Sequence, residues 1–174
     1  FFGISPDRIE VLVHPQSIIH ALVGFADGGL MAHLGPPDMR HAIGYALHWP
    51  QRRALPVERL DLARLARLTF EAPDPARFPA LRLARAVMAA GGLAGAAFNS
   101  AKEVALDHFL DRRISFCGMA AVVEATLARL SGESGLQFAA DSLENVLGMD
   151  HLARQRAREV IGSQERPGAR PSNC

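Results

Sequence analysis

The first fifty residues alternate short apolar runs with turn signals, a pattern typical of a small unit of strands and one helix. An apolar run over residues 17–25 is followed by Asp27-Gly28-Gly29 and by a second run over residues 30–34, which predicts a β-hairpin. Asp38 is a suitable N-cap for a helix over residues 39–48. The tryptophan–proline pair that follows would end this helix.

The pattern changes between residues 50 and 79, where prolines interrupt every longer run. The prolines of this stretch are Pro50, Pro56, Pro73, Pro75 and Pro79. They indicate a connector rather than a packed domain. Two short strands are also predicted, one over residues 9–13 ahead of the hairpin and one over residues 65–70 inside the connector.

From residue 80 onward the apolar positions recur at helical spacing. Gly91-Gly92 is a C-terminal stop signal, whereas Ser115 and Asp141-Ser142-Leu143-Glu144 are N-terminal capping signals. Helices are predicted over residues 81–90, 95–110, 116–130 and 141–161. The predicted fold class is therefore α+β. The expected organisation is an α/β portion, a connector, a four-helix bundle and a disordered tail, over residues 1–50, 51–79, 80–162 and 163–174.

Composition narrows the classes of protein to consider. Hydrophobic residues make up 49% of the 174-residue chain, which is typical of a folded protein. The net charge of +1 gives no electrostatic reason to expect nucleic acid or an anionic membrane as partner. No apolar run reaches the roughly 18 residues of a membrane-spanning helix, and the start does not resemble a signal peptide. We therefore expect a cytoplasmic protein.

The densest candidate for chemistry is the segment from His14 to His20. In an extended segment the two histidines would face the same side, where they could bind a metal or serve as acid and base. No carboxylate lies nearby at ligand spacing, which argues against a metal site. His14 could instead end a strand and bond to the backbone, and His20 could line a polar pocket.

The second candidate is the loop Gly35-Pro36-Pro37-Asp38-Met39-Arg40. Two consecutive prolines make this loop stiff, so it could hold the wall of a pocket in place. The alternative is a structural turn in which Asp38 only caps the helix and Met39 packs in the core, and the residues alone favour this alternative.

Other signals are weaker or missing. Asn99 is a polar residue in an alanine-rich helix, and its apolar neighbours favour an inward structural role. The sequence contains no glycine-rich nucleotide loop of the G-x-G-x-x-G or Walker type, no G-x-S-x-G and no C-x-x-C motif. We therefore expect no self-sufficient cofactor site and no nucleophile constellation in this chain.

Six segments nevertheless resemble, in order, the 1-deoxy-D-xylulose 5-phosphate reductoisomerase family, over about residues 8–161. The segments are Ile9-Glu10-Val11-Leu12-Val13-His14-Pro15-Gln16-Ser17-Ile18-Ile19-His20, Asp27-Gly28, Leu34-Gly35-Pro36-Pro37-Asp38-Met39-Arg40, Trp49-Pro50, Leu68-Thr69-Phe70-Glu71-Ala72-Pro73-Asp74 and Phe98-Asn99-Ser100-Ala101-Lys102-Glu103. The tandem of HPQS-x-x-H and G-x-P-D-M-R is the most specific part.

This resemblance implies an NADPH-binding domain, a central catalytic domain and a C-terminal helical domain, usually in a homodimer. Such an enzyme rearranges 1-deoxy-D-xylulose 5-phosphate and reduces the product to 2-C-methyl-D-erythritol 4-phosphate, in the non-mevalonate route to isoprenoids. A divalent metal, magnesium or manganese, acts as Lewis acid, and NADPH delivers hydride.

The resemblance also implies that this chain corresponds to the C-terminal part of the family's sequence. The family's metal ligands, phosphate-binding residues and nucleotide site belong to motifs that do not occur here. The start at Phe1-Phe2 reads as an entry in mid-fold. We expect the chain alone to bind neither NADPH nor the metal and to be inactive.

The resemblance assigns part of the wall of the substrate pocket to this chain. His20 corresponds to a histidine near the substrate site, and Pro37 and Met39 correspond to residues of the loop behind the substrate. The resemblance thus favours a substrate-binding role for this loop over a purely structural one. Ser100 and Lys102 depart from the family's usual alanine and asparagine. The alternative function is a non-catalytic helical module for binding or dimerisation.

Overall fold

The computed structural model describes residues 3–133, 136 and 139–164. They belong to two compact units. The hairpin unit comprises Glu10–Pro73, and the bundle unit comprises Phe1–Ile9 with Asp74–Cys174. One unit contains a two-stranded sheet and the other contains four long helices, so the predicted α+β class is confirmed.

The sheet of the hairpin unit is the predicted β-hairpin. Strand β1 (Ile19–Gly24) pairs antiparallel with strand β2 (Leu30–Leu34). The Asp27 carboxylate accepts a hydrogen bond from the Gly29 N–H at 2.9 Å. Gly28 has a φ of +87°, a left-handed conformation that glycine adopts without strain. The turn residues therefore fix the register locally.

Helix α1 (Arg40–His48) follows the hairpin, one residue shorter than predicted. The structure places Met39 rather than Asp38 immediately before the helix. The Asp38 carboxylate still accepts a hydrogen bond from the Arg40 N–H at 2.9 Å, so it satisfies one free donor of the first turn. The helix ends before Trp49-Pro50, as the sequence predicts.

Both additional strand predictions are wrong. Val13 forms only an isolated bridge with Glu71, so residues 9–13 and 65–70 do not become strands. The segment Leu62–Leu65 is instead a short helix, α2, whose N-cap Asp61 accepts hydrogen bonds from two backbone N–H groups. A strand requires a partner along its length, whereas a capped helical turn satisfies its own backbone groups.

The bundle unit contains the four predicted helices, with shifts of one to three residues at several ends. They are α3 (Pro79–Ala90), α4 (Ala94–Leu110), α5 (Phe116–Gly132) and α6 (Leu143–Gln164). Helix α4 is central and contacts each of the other three. The Ser115 hydroxyl caps α5 by accepting the Gly118 N–H, and Gly91 ends α3 with a φ of +63°.

The last helix is longer than predicted. Helix α6 continues through Ser163 to Gln164, which corrects the start of the predicted tail over residues 163–174. Residues 165–174 lie outside the described residues. None of the described helices combines the length and the apolar character that crossing a membrane requires.

The core of the bundle unit lies between α4, α5 and α6. Leu130, Ile161 and Val122 are fully buried. Thr126 is also fully buried, and its hydroxyl donates to the Val122 carbonyl at 2.7 Å, which satisfies its polar group. The helical core therefore contains close-packed apolar side chains with internal partners for its polar ones.

A polar network joins α4 to α6 beside this core. The Ser100 Oγ is buried and lies 2.5 Å from an Asp150 carboxylate oxygen. The Arg154 guanidinium donates to Asp150 at 2.9 Å and to Glu103 at 2.5 Å. Asn99 is exposed and donates to Glu103, so the inward role predicted for it is wrong. Ser100, one position further along the helix, faces inward instead.

The network favours the charged form of each of its three ionisable members. Hydrogen bonds from Arg154 lower the pKa of both the Asp150 and the Glu103 carboxyl, with smaller contributions from Ser100 and Asn99. The same bonds raise the pKa of Arg154. Carboxylates with a lowered pKa stabilise the folded state above their unfolded pKa values of about 4, and this contribution is lost as the pH falls through the folded values.

The first prediction concerns the buried core. Leu130→Ala should lower the free energy of unfolding by about 2–5 kcal/mol, because it removes buried methyl groups and leaves a cavity. Leu110→Ala is the matched control, since Leu110 is 66% exposed, and it should change stability by no more than about 0.5 kcal/mol. Denaturant unfolding followed by circular dichroism measures both. Equal losses would show that Leu130 is not a core residue.

The second prediction concerns the polar network. Asp150→Asn should lower the Tm at pH 7 by roughly 2–4 °C, the shift expected for about 1 kcal/mol in a chain of this size. The difference from the parent chain should shrink as the pH falls below about 4, the unfolded pKa, and through the lower folded pKa of the Asp150 carboxyl. Glu124→Gln is the control, because its salt bridge to Arg82 is about half exposed and should contribute less. A pH-independent difference would contradict the network's electrostatic role.

Candidate functional site

The hairpin fixes the position of His20. The register of β1 against β2 shifts between Ile19 and Ala21, so His20 lies at a β-bulge, a feature that redirects a side chain. Its Nε2 lies 3.1 Å from the Gly35 carbonyl oxygen. Because a carbonyl can only accept, this contact places the proton of a neutral His20 on Nε2. The His33 ring lies beside it, at a centroid distance of 5.8 Å.

The proline loop is held at both ends. The Gly35 N–H donates to the Ile18 carbonyl at 3.0 Å, which joins the loop to the hairpin. The Asp38 N–H donates to the Pro36 carbonyl at 2.7 Å. The Asp38 carboxylate accepts three hydrogen bonds from Arg40, one from the backbone and two from the guanidinium nitrogens Nε and Nη2. The guanidinium lowers the pKa of Asp38 to about 2, so its carboxylate is charged throughout the neutral range.

The tip of this loop faces outward. Met39 is 70% exposed, and Pro37 and His20 are also exposed. The alternative in which Met39 packs in a core is therefore wrong. Asp38 lies one position before the N-cap Met39, although its carboxylate still accepts the Arg40 N–H. Through its bond to Gly35, His20 lies at the start of the loop that carries Pro37 and Met39.

His14 has a different environment. Its Nδ1 lies 2.7 Å from the Thr69 carbonyl, and its ring stacks on Phe70 at 4.8 Å. The Gln16 amide bonds to Thr69 as well, through both its oxygen and its nitrogen. The backbone-bonded interpretation of His14 is therefore the one that the structure shows. Because these partners lie more than fifty residues away in sequence, no local signal could have indicated them.

The sequence reasoning also missed a cavity of about 380 Å³ between α1 and the connector, all within the hairpin unit. Among the described residues, no group of three or more His, Cys, Asp or Glu side chains could hold a metal ion. The residues around the cavity are Leu34, Gly35, Pro36, His41, Gly44, Tyr45, Arg52, Arg53, Ala54, Leu55, Val57, Glu58, Arg59 and Leu60. No local signal in the sequence indicated it, because these side chains meet only when the connector folds back against α1.

Comparison with known proteins gives a consistent result. The family model for the DXP reductoisomerase C-terminal domain matches residues 34–156. The chain is 66% identical over 165 residues to 1-deoxy-D-xylulose 5-phosphate reductoisomerase of Cereibacter sphaeroides, covering 95% of this chain and 42% of the relative. It is 69% identical over 164 residues to the reductoisomerase of Ruegeria pomeroyi, covering 94% and 42%.

Solved structures agree with this result. The reductoisomerase from Zymomonas mobilis in complex with NADPH matches with a TM-score of 0.81 and 42% identity, over 92% of this chain and 41% of that one. A DOX-P reductoisomerase in complex with NADPH, fosmidomycin and magnesium matches with a TM-score of 0.83 and 35% identity, over 89% and 39%. The chain spans about two fifths of the length of the relatives it matches. By its sequence and by its fold, the chain belongs to the DXP reductoisomerase C-terminal domain family.

Proposed function

We propose that the chain contributes the C-terminal part of a 1-deoxy-D-xylulose 5-phosphate reductoisomerase. That enzyme would convert 1-deoxy-D-xylulose 5-phosphate to 2-C-methyl-D-erythritol 4-phosphate with NADPH and a divalent metal, magnesium or manganese. The observation that carries the proposal is the family match over residues 34–156, together with identities of 66% and 69% to enzymes of that name.

In this proposal the chain supplies one wall of the substrate site, formed by His20, Pro37 and Met39. The support is geometric. The bond to Gly35 orients the His20 ring, and the Asp38–Arg40 contacts hold the loop that carries Pro37 and Met39. Because these bonds form within the chain, the wall is ordered before a substrate arrives, which reduces the entropy lost on binding. The exposed Met39 side chain provides an apolar, adaptable surface.

The described residues do not fit the metal. Without a cluster of three donors among them, the residues that the structure describes offer no site to which a metal-assisted step could be assigned. In the proposed enzyme the metal and NADPH would be held by residues outside this chain. Its own residues would orient the substrate and exclude water, and the chain alone would not turn over.

We also propose that the enzyme is a cytoplasmic homodimer without nucleic acid or membrane partners. The hairpin presents several large apolar side chains to the outside, among them Val23, Leu30 (72% exposed) and Met31. Val23 and Met31 are cross-strand partners and share one face of the hairpin, whereas Leu30 lies on the opposite face. Exposed apolar side chains of this kind favour contact with another protein surface. The net charge of +1 gives no basis for nucleic-acid binding.

The second candidate function is a non-catalytic binding or dimerisation module. The observation in its favour is that the bundle unit has its own buried core and so meets a requirement for folding independently. Analytical ultracentrifugation of the chain tests this candidate. A discrete, folded species supports it, and uncontrolled aggregation excludes it.

The third prediction tests the substrate wall. We expect no NADPH oxidation when the chain alone is given 1-deoxy-D-xylulose 5-phosphate. A chimera in which the upstream part of the Cereibacter sphaeroides relative precedes this chain should turn over. In that chimera, His20→Ala and Met39→Ala should each raise KM by about tenfold, the effect of losing roughly 1.4 kcal/mol of binding.

His151→Ala is the matched control, because His151 is an exposed residue of α6 in the other unit, and its KM should stay within about twofold. A chimera that folds and binds NADPH but does not consume the substrate would refute the proposed function. Unchanged KM values in both wall variants of an active chimera would refute only the assignment of the wall.

A further inference from the structure

The cavity beside α1 is built by two ties between the helix and the connector. The Leu55 side chain packs against Gly44, where an added Cβ would lie 2.6 Å from a Leu55 methyl carbon. The Arg40 Nη1 donates to the Pro56 carbonyl at 2.9 Å. These contacts hold the connector against α1. The side chains that precede and follow Leu55 and Pro56 in sequence therefore line the same cavity.

The folded connector concentrates positive charge around this space. Arg52, Arg53 and Arg59 line the cavity, against a single carboxylate, Glu58. The Arg52 guanidinium lies 4.4 Å from the centre of the Tyr45 ring, a cation–π contact that fixes its position. Within the part of the chain that the structure describes, neither Arg53 nor Arg59 has an ion pair or a hydrogen-bond partner from its side chain. Their donors are therefore available to a ligand.

Much of the remaining lining is apolar, although His41, whose Nε2 is buried without a hydrogen-bond partner among the described residues, also contributes to it. The apolar side chains include Leu34, Leu55, Val57 and Leu60. The volume of about 380 Å³ falls in the range of small-molecule sites and exceeds the needs of a single inorganic ion. Guanidinium groups pair well with phosphate oxygens, because their planar forks donate two parallel hydrogen bonds. An organic anion would contact the arginines through its charged group and the apolar side chains through its carbon atoms.

We propose that this cavity is a binding site for a small phosphate monoester, with the phosphate held by Arg52, Arg53 and Arg59 and the carbon body against Leu55 and Val57. Glu58 opposes the phosphate and limits the affinity, since like charges at the cavity repel. The proposal does not depend on the reductoisomerase reaction, because binding requires only groups of this chain.

The test is a fluorescence titration of the chain without NADPH. Trp49 is the only tryptophan of the sequence and stacks edge-on against Tyr45 at 5.6 Å, so it reports on the cavity. The probes are glycerol 3-phosphate, inorganic phosphate and glycerol, at an ionic strength held constant with sodium chloride. We expect saturable binding of glycerol 3-phosphate, weaker binding of inorganic phosphate and none of glycerol.

Variants assign the site to its residues. Arg52→Gln, Arg53→Gln and Arg59→Gln should each weaken the binding of glycerol 3-phosphate by about tenfold. Glu58→Gln should tighten it by roughly threefold, an effect that loss of folding cannot produce. Arg67→Gln is the matched control, because Arg67 is an exposed arginine of the same unit that does not line the cavity. Its Kd should stay within about twofold.

Three results would overturn the proposal. They are an absence of saturation with glycerol 3-phosphate, equal affinities for inorganic phosphate and the monoester, and equal Kd values for the cavity variants and Arg67→Gln. Failure here leaves the proposed reductoisomerase function intact, since that function is measured by turnover of the chimera.

Discussion

The guanidinium of Arg40 connects three segments of the hairpin unit. Two of its nitrogens, Nε and Nη2, donate to Asp38 and so hold the proline loop, while Nη1 donates to the Pro56 carbonyl and so holds the connector. Its backbone lies in the first turn of α1. Only arginine has a planar fork with enough donors to do this, and a lysine could not replace it without losing one of the ties. The position of the proline loop depends on this side chain, and that of the cavity arginines depends on it together with the packing of Leu55 against Gly44.

The bundle unit depends on a different constraint, which is the small size of the side chains along α4. Ala97, Ala101 and Ala105 are fully buried and recur at four-residue spacing, so they lie on one face of the helix. Small residues on a shared face allow neighbouring helices to approach closely and to exclude water. Ser100 is tolerated beside this face because Asp150 lies within bonding distance of its hydroxyl. Here burial, rather than a network of hydrogen bonds, fixes the geometry.

The sequence predicted best those features whose causes are local. The hairpin turn at Asp27-Gly28-Gly29 and the cap at Ser115 each involve residues within a few positions, and both are present. The strand expected over residues 65–70 failed because strand formation depends on a distant partner. The prediction for Asn99 failed because one residue turns a helix by about 100°, so the inward position belonged to its neighbour.

The same distinction applies to the candidate site. The proline loop was visible in the sequence because stiffness is a property of its own residues. The convergence of Arg52, Arg53 and Arg59 was not visible, because it depends on the close approach of Leu55 to Gly44. Because the sequence is rich in arginine, three arginines that lie near one another in sequence do not by themselves indicate a site. They form a cluster only where the backbone folds around a cavity.

The two units also differ in what supports their exposed side chains. In the hairpin unit only Ile18, Gly35 and Gly44 are buried, whereas each of the last three helices of the bundle unit contributes several buried residues. The candidate substrate wall and the cavity both lie in the unit with the smaller core. Their geometry therefore depends on a few specific contacts, those of His20 with Gly35, Arg40 with Pro56 and Leu55 with Gly44, rather than on a large packed core. Segments with few buried contacts open at a lower free energy than a packed core. The candidate wall and the cavity are therefore positioned by a few contacts each, and we expect both to open at a lower free energy than the helical core.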